Sequence, residues 1–167
     1  FGTGSSAPTW TNNGKVGKAI SFDGSDYIEN STINYADNFT VSFWMNPKDL
    51  SLIESYGRTI IASSPQSTSY YPIWILLRGN QVRAYAYSSS TTNYYQDSNF
   101  NNIQINNWYQ ITLSATRNGT TKLFINGKLD STFNSGNQAP NNYLTIGELR
   151  PGRNIPFNGL IDEVKIY

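Results

Sequence analysis

The sequence predicts an all-β protein, an antiparallel two-sheet sandwich of about 11 to 13 short strands with little or no helix. Three observations lead to this prediction. Apolar and polar residues alternate along most non-loop segments, as in strands with one buried face. Turn pairs such as Asp23-Gly24, Gly79-Asn80 and Asn118-Gly119 separate these segments at the spacing typical of a sandwich. The chain is also rich in Asn, Ser and Thr and holds 12 Tyr, which favours strands and turns over helices.

The first third of the chain is predicted to hold an irregular lead-in followed by four strands. Residues 1–14 form the lead-in, with Trp10 as the one side chain expected to be buried. The strands are predicted at Ala19 to Phe22, around Tyr27 and Ile28, at Phe39 to Asn46, and at Arg58 to Ser63. Pro47 ends the third strand because proline cannot donate to a ladder. Residues 48–58 hold the only candidate helical turn, and residues 64–71 are a polar loop.

The central segment, Pro72 to Tyr87, is predicted to be a hairpin that turns at Gly79-Asn80. Because successive side chains of a strand point to opposite faces, one face is expected to be apolar core. The other face is expected to carry the aromatic and cationic side chains Trp74, Arg78, Arg83, Tyr85 and Tyr87. Such a set suits a flat, partly wet binding surface. The alternative is that these aromatic residues merely cover the sheet.

The second half of the chain is predicted to begin with a long polar stretch and to continue as strands. Residues 88–107 are either a loop or a loop with one short strand. Strands are then predicted at Trp108 to Thr116, Lys122 to Ile125, Lys128 to Phe133, Tyr143 to Gly147, and Leu160 to Tyr167. The pairs Asn118-Gly119 and Asn126-Gly127 make the turns between the first three of these strands.

Charge and composition argue against several classes of function. The net charge is +1 with no basic run, so neither nucleic acid nor an anionic membrane is indicated as a partner. Cys and His are absent, which excludes Ser–His and Cys–His nucleophile systems and histidine-ligated metals. No apolar segment is long enough for a membrane span. We expect residues 1–167 to be one domain, excised from a longer protein and monomeric by itself.

Four segments together resemble the laminin-G-like, concanavalin-A-like jelly-roll domains of secreted and cell-surface proteins. They are GKVGKAISFDGSDYIE (14–29), FTVSFWMNP (39–47), WYQITLSATRNGTTKLFINGK (108–128) and FNGLIDEVKIY (157–167). The resemblance implies a jelly roll and an extracellular or cell-surface location. It also implies that the strands at Phe39, Pro72, Val82 and Trp108 belong to one concave sheet. That sheet would gather a ligand-binding groove lined by Trp44, Trp74, Arg78, Arg83, Tyr85 and Tyr87.

The resemblance further implies a structural Ca²⁺ ion where an early acidic turn meets the final strand. Its carboxylate ligands would be Asp23, Asp26 and Asp162. Because Ca²⁺ takes about six to eight oxygen ligands, backbone carbonyls and water would have to complete the shell. The alternative is that Asp23 and Asp26 only supply turn chemistry, while Asp162 accepts hydrogen bonds from a neighbouring loop.

The pattern of acidic residues indicates that the domain is not an enzyme. Glucanases of the same fold carry a Glu-x-Asp-x-x-Glu strand, because glycoside cleavage needs two facing carboxyl groups, and this chain lacks that pattern. Asp162 and Glu163, its only adjacent acidic pair, are expected on opposite strand faces. We therefore predict a non-catalytic module that binds a polysaccharide or glycoconjugate. The alternative that stays open is a spacer or protein-contact domain of a surface adhesin or pilus-like assembly, with a surface protein as partner.

Overall fold

The computed structural model describes residues 7–33, 36–63, 71–88, 92, 94–137, 143–150 and 153–167. Residues 1–6 of the predicted lead-in and residues 64–70 of the predicted loop lie outside this part of the chain. Within it the protein has thirteen strands and no helix, which confirms the all-β class. Residues 54–56, inside the segment with the candidate helical turn, form a simple turn. The described residues include no helix that could cross a membrane.

The strands follow the predicted order, with two short additions. In chain order they are β1 (Thr9–Thr11), β2 (Ala19–Asp23), β3 (Ile28–Asn30), β4 (Asn38–Pro47), β5 (Arg58–Ser63), β6 (Tyr71–Arg78), β7 (Gln81–Ser88), β8 (Tyr95–Asp97), β9 (Tyr109–Thr116), β10 (Thr120–Ile125), β11 (Lys128–Asn134), β12 (Leu144–Ile146) and β13 (Asn158–Ile166). For residues 88–107 the sequence allowed either a loop or a loop with one short strand, and β8 is that short strand. The strand β1 was not predicted.

Two antiparallel sheets face each other, as the sequence predicts. The seven-stranded sheet has the order β1-β2-β13-β4-β9-β10-β11, and the six-stranded sheet has the order β3-β12-β5-β6-β7-β8. The expectation that the strands at Phe39, Pro72, Val82 and Trp108 share one sheet is wrong. Strand β4 pairs with β9 and β13, whereas β6 pairs with β5 and β7. Alternation specifies the two faces of a strand and leaves its neighbours unspecified, so it could not assign these strands to a sheet.

The main core lies between the sheets and is built from the apolar faces that alternation predicted. The seven-stranded sheet contributes Phe43 and Ile111, and the six-stranded sheet contributes Ile75 and Ala84, all fully buried. The opposite faces of both sheets point away from this core, so the hairpin between β6 and β7 has one core face and one outer face.

Tyr87 departs from the predicted alternation and joins the main core. Its backbone has a φ of 51°, in the left-handed region, and it lies between the Ile73–Ala86 and Tyr71–Ser88 pairs of β6 and β7. The ring packs against Phe39 at 5.5 Å between centroids, and the hydroxyl donates a hydrogen bond to the Asp37 carbonyl at 2.8 Å. The prediction that Tyr87 shares a face with Arg83 and Tyr85 is therefore wrong, because its left-handed backbone turns the side chain into the core.

Two further expectations fail at the edge and at the last strand. Trp10 pairs with Ile20 in β1 and is 65% exposed, so it is not a buried anchor. In β13 the register shifts after Asp162, and Glu163 has a φ of 50°. Because of this bulge, Asp162 and Glu163 line the same small cavity instead of lying on opposite faces.

Candidate functional site

A row of four aromatic rings crosses the outer face of the six-stranded sheet. We call Tyr56, Trp74, Tyr85 and Tyr95 the aromatic row. Trp74 and Tyr85 are partners across β6 and β7 and stack at 4.7 Å between centroids with an angle of 19°. Tyr85 is in turn the partner of Tyr95 in β8, at 5.0 Å, and Tyr56 lies 6.0 Å from Trp74. The strand register therefore produces a continuous band of aromatic side chains across this face.

The middle of the aromatic row is buried. Trp74 is 3% exposed and Tyr85 is 5% exposed, because they form a second small core with Leu149 and Ile155, which reach over this face from the loop before β13. The Trp74 indole donates its hydrogen bond to the Thr59 hydroxyl at 3.0 Å, so its polar atom is satisfied inside the protein. Burial also raises the pKa of Tyr85. These two predicted site residues thus form the base of the row and offer little surface to a ligand.

The segment that covers Trp74 is fixed to the sheet by its own polar contacts. Thr59 donates a backbone hydrogen bond to the Ile155 carbonyl at 2.8 Å, and Arg58 donates to the Pro156 carbonyl at 3.2 Å. Glu148 is buried and accepts a hydrogen bond from the Asn154 amide at 2.6 Å, and burial raises the pKa of its carboxyl group. The cover is therefore a packed part of the fold, held to β5 by side-chain and backbone contacts.

The two ends of the aromatic row are open to solvent. Tyr56 is 42% exposed and Tyr95 is 41% exposed. The Arg153 guanidinium lies 5.5 Å from the Tyr56 ring centre and donates to Glu54 at 2.7 Å. Tyr56 lies in a short turn and Tyr95 in a polar stretch, so neither shows the alternation that marked the hairpin residues. The sequence places Asp97 two residues after Tyr95, and the pairing of β7 with β8 sets this aspartate opposite Arg83.

Arg83 and Asp97 form a rigid pair beneath the Tyr95 ring. Arg83 Nε donates to Asp97 Oδ1 at 2.6 Å, and Nη2 donates to Oδ2 at 2.7 Å. These bonds lower the pKa of the Asp97 carboxyl and raise that of the arginine. The Arg83 guanidinium carbon is 4.2 Å from the Tyr95 ring centre. The Arg83 side chain is only 13% exposed, whereas Tyr95 is 41% exposed, so part of the Tyr95 side chain reaches solvent above this pair.

Arg78 lies next to this pair without a strong bond to it. Its Nη1 is 3.6 Å from Asp97 Oδ2, which is too long for a hydrogen bond. Its Nε is buried and has no hydrogen-bond partner, while its side chain as a whole is 36% exposed. Two guanidinium groups thus share one carboxylate at this edge of the sheet, so the cluster carries an excess of positive charge.

Trp44 lies on the other side of the sandwich, on the outer face of the seven-stranded sheet. It is half-buried in an open groove with hydroxyl and amide side chains, and the Lys15 ammonium is 4.5 Å from its ring centre. Neighbouring hydroxyl groups pair across β4 and β9, with 3.0 Å between Thr112 Oγ1 and Ser42 Oγ. The structure therefore separates Trp44 from Trp74, Arg78, Arg83 and Tyr85, because β4 and β6 belong to different sheets.

The three aspartates of the predicted calcium site do not fit one ion. Asp26 accepts the Asp23 amide at 2.9 Å, and burial raises its pKa, while hydrogen bonds from Ser25 lower the pKa of Asp23. Asp162 lies four positions along β13 from Asn158, the partner of Asp23, or roughly 13 Å away. A Ca²⁺ ion binds oxygen at roughly 2.4 Å, so it cannot reach both places.

Asp162 instead accepts hydrogen bonds from two backbone amides. The Val16 amide, in the loop before β2, donates to it at 2.9 Å, and the Glu163 amide donates at 2.8 Å. No group of three or more Asp, Glu, His or Cys that could hold a metal is found within the described residues. The calcium ion stays a prediction, and the contacts present are those of the alternative, in which Asp23 and Asp26 shape a turn.

Comparisons with known proteins identify the fold and several relatives of similar structure. The model of the Concanavalin A-like lectin/glucanases superfamily matches residues 22–167. Domain 4 of an extracellular arabinanase from Geobacillus stearothermophilus, solved in complex with arabinotriose, is 23% identical with a TM-score of 0.74, over 96% of this chain and 75% of that chain. The binding domain of Paraclostridial Mosquitocidal Protein 1 is 17% identical with a TM-score of 0.74, over 96% and 42% of the two chains.

A third similar structure is a toxin domain. The receptor binding domain of the botulinum neurotoxin mosaic serotype C/D is 20% identical with a TM-score of 0.68, over 96% of this chain and 41% of that chain. The chain thus spans about four tenths of the two toxin structures. No curated protein sequence matches the chain. At these identities the structural similarities show the fold alone.

Proposed function

The chain belongs to the Concanavalin A-like lectin/glucanases superfamily, and we propose that it is a non-catalytic carbohydrate-binding module whose glycan lies over Tyr95 and Arg83 on the outer face of the six-stranded sheet. The observation that carries this proposal is the partly exposed Tyr95 ring, which contacts an arginine that two hydrogen bonds fix to Asp97.

The chemistry of a sugar matches this arrangement. Pyranose and furanose rings have apolar C–H faces and polar hydroxyl edges, so they bind where a flat aromatic ring adjoins fixed donors and acceptors. Tyr95 supplies the flat ring, and Arg83 and Asp97 supply polar atoms whose positions are set before a ligand arrives. Trp74 and Tyr85 contribute from below, because their stacked rings hold Tyr95 in place. A site ordered in advance loses less conformational entropy on binding.

Three of the structural comparisons support a binding role, and one of these proteins is named as extracellular. One similar domain belongs to an extracellular arabinanase and was solved with arabinotriose, and others are named as binding or receptor binding domains. We extend this role to the present chain as a proposal: a module of a longer extracellular or cell-surface protein that attaches it to a polysaccharide or glycoconjugate.

The carboxylates Asp97 and Glu148 on this side of the sandwich support a non-catalytic role. Glycoside hydrolysis needs one carboxyl group that gives a proton and a second that acts as base or nucleophile across the bond. Asp97 is bound by Arg83, which lowers its pKa and makes it a poor proton donor. Glu148 has the raised pKa of a proton donor, yet it is buried in the covering segment and accepts a backbone amide.

A protein-contact or spacer domain is the second candidate function. It is favoured by the cover over Trp74, since a covered tryptophan gives a sugar no platform. It is also favoured by the exposed apolar side chains of Trp10 and Val16, which are 65% and 60% exposed near the edge of the seven-stranded sheet.

A glycan array on the isolated domain, followed by calorimetry on the glycans that bind, tests the proposal. Tyr95→Ala should abolish binding, while Tyr167→Ala serves as a matched control because Tyr167 is also exposed and lies on the other sheet. Both variants should melt close to the wild type, since neither ring is buried. Loss of binding in Tyr167→Ala alone would move the site to the other sheet, and an empty array would favour the protein-contact function.

A further inference from the structure

Resting on the proposed function, we propose that the site selects acidic sugars, and that Arg78 is the residue that binds the sugar carboxylate. The proposed function concerns the Tyr95 surface and any glycan on it. The further step concerns the class of glycan, namely chains that contain uronic or sialic acids.

Arg78 differs from three other arginines on this side of the sandwich in its contact with a carboxylate. Three arginines each donate a hydrogen bond to a carboxylate: Arg58 to Asp49, Arg83 to Asp97 and Arg153 to Glu54. Arg78 has no such bond, because its closest described carboxylate is the same Asp97, at 3.6 Å. A guanidinium ion remains charged at all physiological pH values, so the two arginines that share Asp97 leave one positive charge uncompensated there.

The Arg78 guanidinium is also accessible to a ligand from solvent. Arg78 is the partner of Gln81 next to the turn of the hairpin, with its side chain 36% exposed, so an incoming anion can reach its terminal nitrogens. Asp97 would repel an anion if it were free, but both of its oxygens already accept hydrogen bonds from Arg83. A carboxylate matches the planar fork of a guanidinium and forms two parallel bonds to it.

The Arg78 guanidinium is connected to the Tyr95 ring through two other side chains. Tyr95 covers Arg83, Arg83 donates hydrogen bonds to Asp97, and Asp97 lies 3.6 Å from Arg78. Only two side chains therefore stand between the Tyr95 ring and the Arg78 guanidinium. One acidic sugar can therefore place its ring on Tyr95 and direct its carboxylate toward Arg78. A neutral sugar would gain only the first of these contacts.

Matched pairs of sugars test the proposal on the intact domain. The probes are sialyllactose against lactose, and trigalacturonate against its methyl ester, measured by calorimetry at low salt. The wild type should bind the acid at least about tenfold more tightly than its neutral partner, the effect of one charged hydrogen-bonded contact. Arg78→Gln should bind both members of a pair equally, and Arg78→Lys should keep part of the preference, because it retains the charge without the fork.

The outcomes separate this inference from the proposed function. Equal binding of acid and neutral sugars by the wild type, or an undiminished preference in Arg78→Gln, overturns the role of Arg78 and leaves glycan binding intact. Binding of neutral glycans alone would likewise overturn the role of Arg78 and leave glycan binding intact. Absence of binding to every glycan on an array counts against both proposals. Raising the ionic strength to 1 M should reduce the acid preference in the wild type, because the contact is partly exposed.

Discussion

The outer faces of the two sheets differ although the strands that form them look alike in sequence. Strand β4 and the hairpin of β6 and β7 each combine an apolar face with a face that carries tryptophan and polar residues. On the seven-stranded sheet, that second face stays open, with Trp44 half-buried among hydroxyl groups. On the six-stranded sheet, Trp74 lies under a cover and only the ends of the aromatic row reach solvent.

The loop before β13 causes this difference, because it covers the tryptophan on one outer face and not the one on the other. Leu149 and Ile155 lie more than seventy residues after Trp74 in the chain, and they convert its face of the sheet into a second core. Among the described residues of the aromatic row, exposed rings then remain where the cover ends, with Tyr95 next to Arg83 on one side and Tyr56 next to Arg153 on the other.

The two tryptophans should differ most in how much the free energy of unfolding falls when each is replaced by alanine. Trp74→Ala should lower the free energy of unfolding by about 3–5 kcal/mol, because it leaves a cavity and a Thr59 hydroxyl without its donor. Trp44→Ala should cost about 1 kcal/mol, since its side chain is partly solvated and leaves no closed cavity. Urea denaturation followed by circular dichroism measures both values, with Trp74→Phe as a control of intermediate cost. Equal losses in the two alanine variants would remove the distinction between a covered and an open face.

A smaller effect is expected from Asp97, which fixes Arg83 under Tyr95. Asp97→Asn should cost about 1–2 kcal/mol at pH 7, because the pair is only partly buried. Since the pKa of Asp97 is lowered in the folded state, its contribution is complete above the unfolded value of about 4 and is lost as the pH falls through the folded value.

Melts of the wild type and of Asp97→Asn between pH 7 and pH 2 check this dependence. The difference between the two melting temperatures should be constant above about pH 5 and should shrink below about pH 4. A difference that persists unchanged at the lowest pH would mean that the Arg83–Asp97 pair does not account for the role of Asp97.

The smallest effect is expected on the seven-stranded side, at Asp162. Asp162→Ala should cost about 1 kcal/mol, because the Val16 and Glu163 amides lose their acceptor and turn partly to water. If these hydrogen bonds are its whole role, EDTA should leave the wild-type melting temperature unchanged. A drop with EDTA that Asp162→Ala reproduces, and that calcium reverses, would instead support the predicted ion.

The sequence predicted most of the fold because alternation and turn pairs are local signals. It identified the core faces of β4, β6, β7 and β9 and the turns between them. It failed at Tyr87 and at Glu163, which both have a positive φ, and near Glu163 the register also shifts. A local change of the backbone of this kind has no signature in alternation. It also failed to assign strands to sheets, since strand pairing depends on contacts between remote segments.

The candidate site was only partly predictable for the same reason. Arg78 and Arg83 stood out by their place on the hairpin, and the structure brings them together through Asp97. Tyr95 lies in a three-residue strand, too short to show a period, and its place beside Tyr85 and Arg83 follows only from the pairing of that strand with β7. The burial of Trp74 could not be predicted, because its cover comes from a loop without periodicity.

The most direct test of the account locates a bound glycan on one of the two faces by NMR. A ¹⁵N–¹H titration of the labelled domain with the tightest glycan from the array should shift the amide signals of Arg83, Tyr95 and Asp97. The signals of Ser42, Trp44 and Thr112, on the open face of the other sheet, should stay in place. Shifts confined to those three residues, with Tyr95 and its neighbours unchanged, would contradict the account.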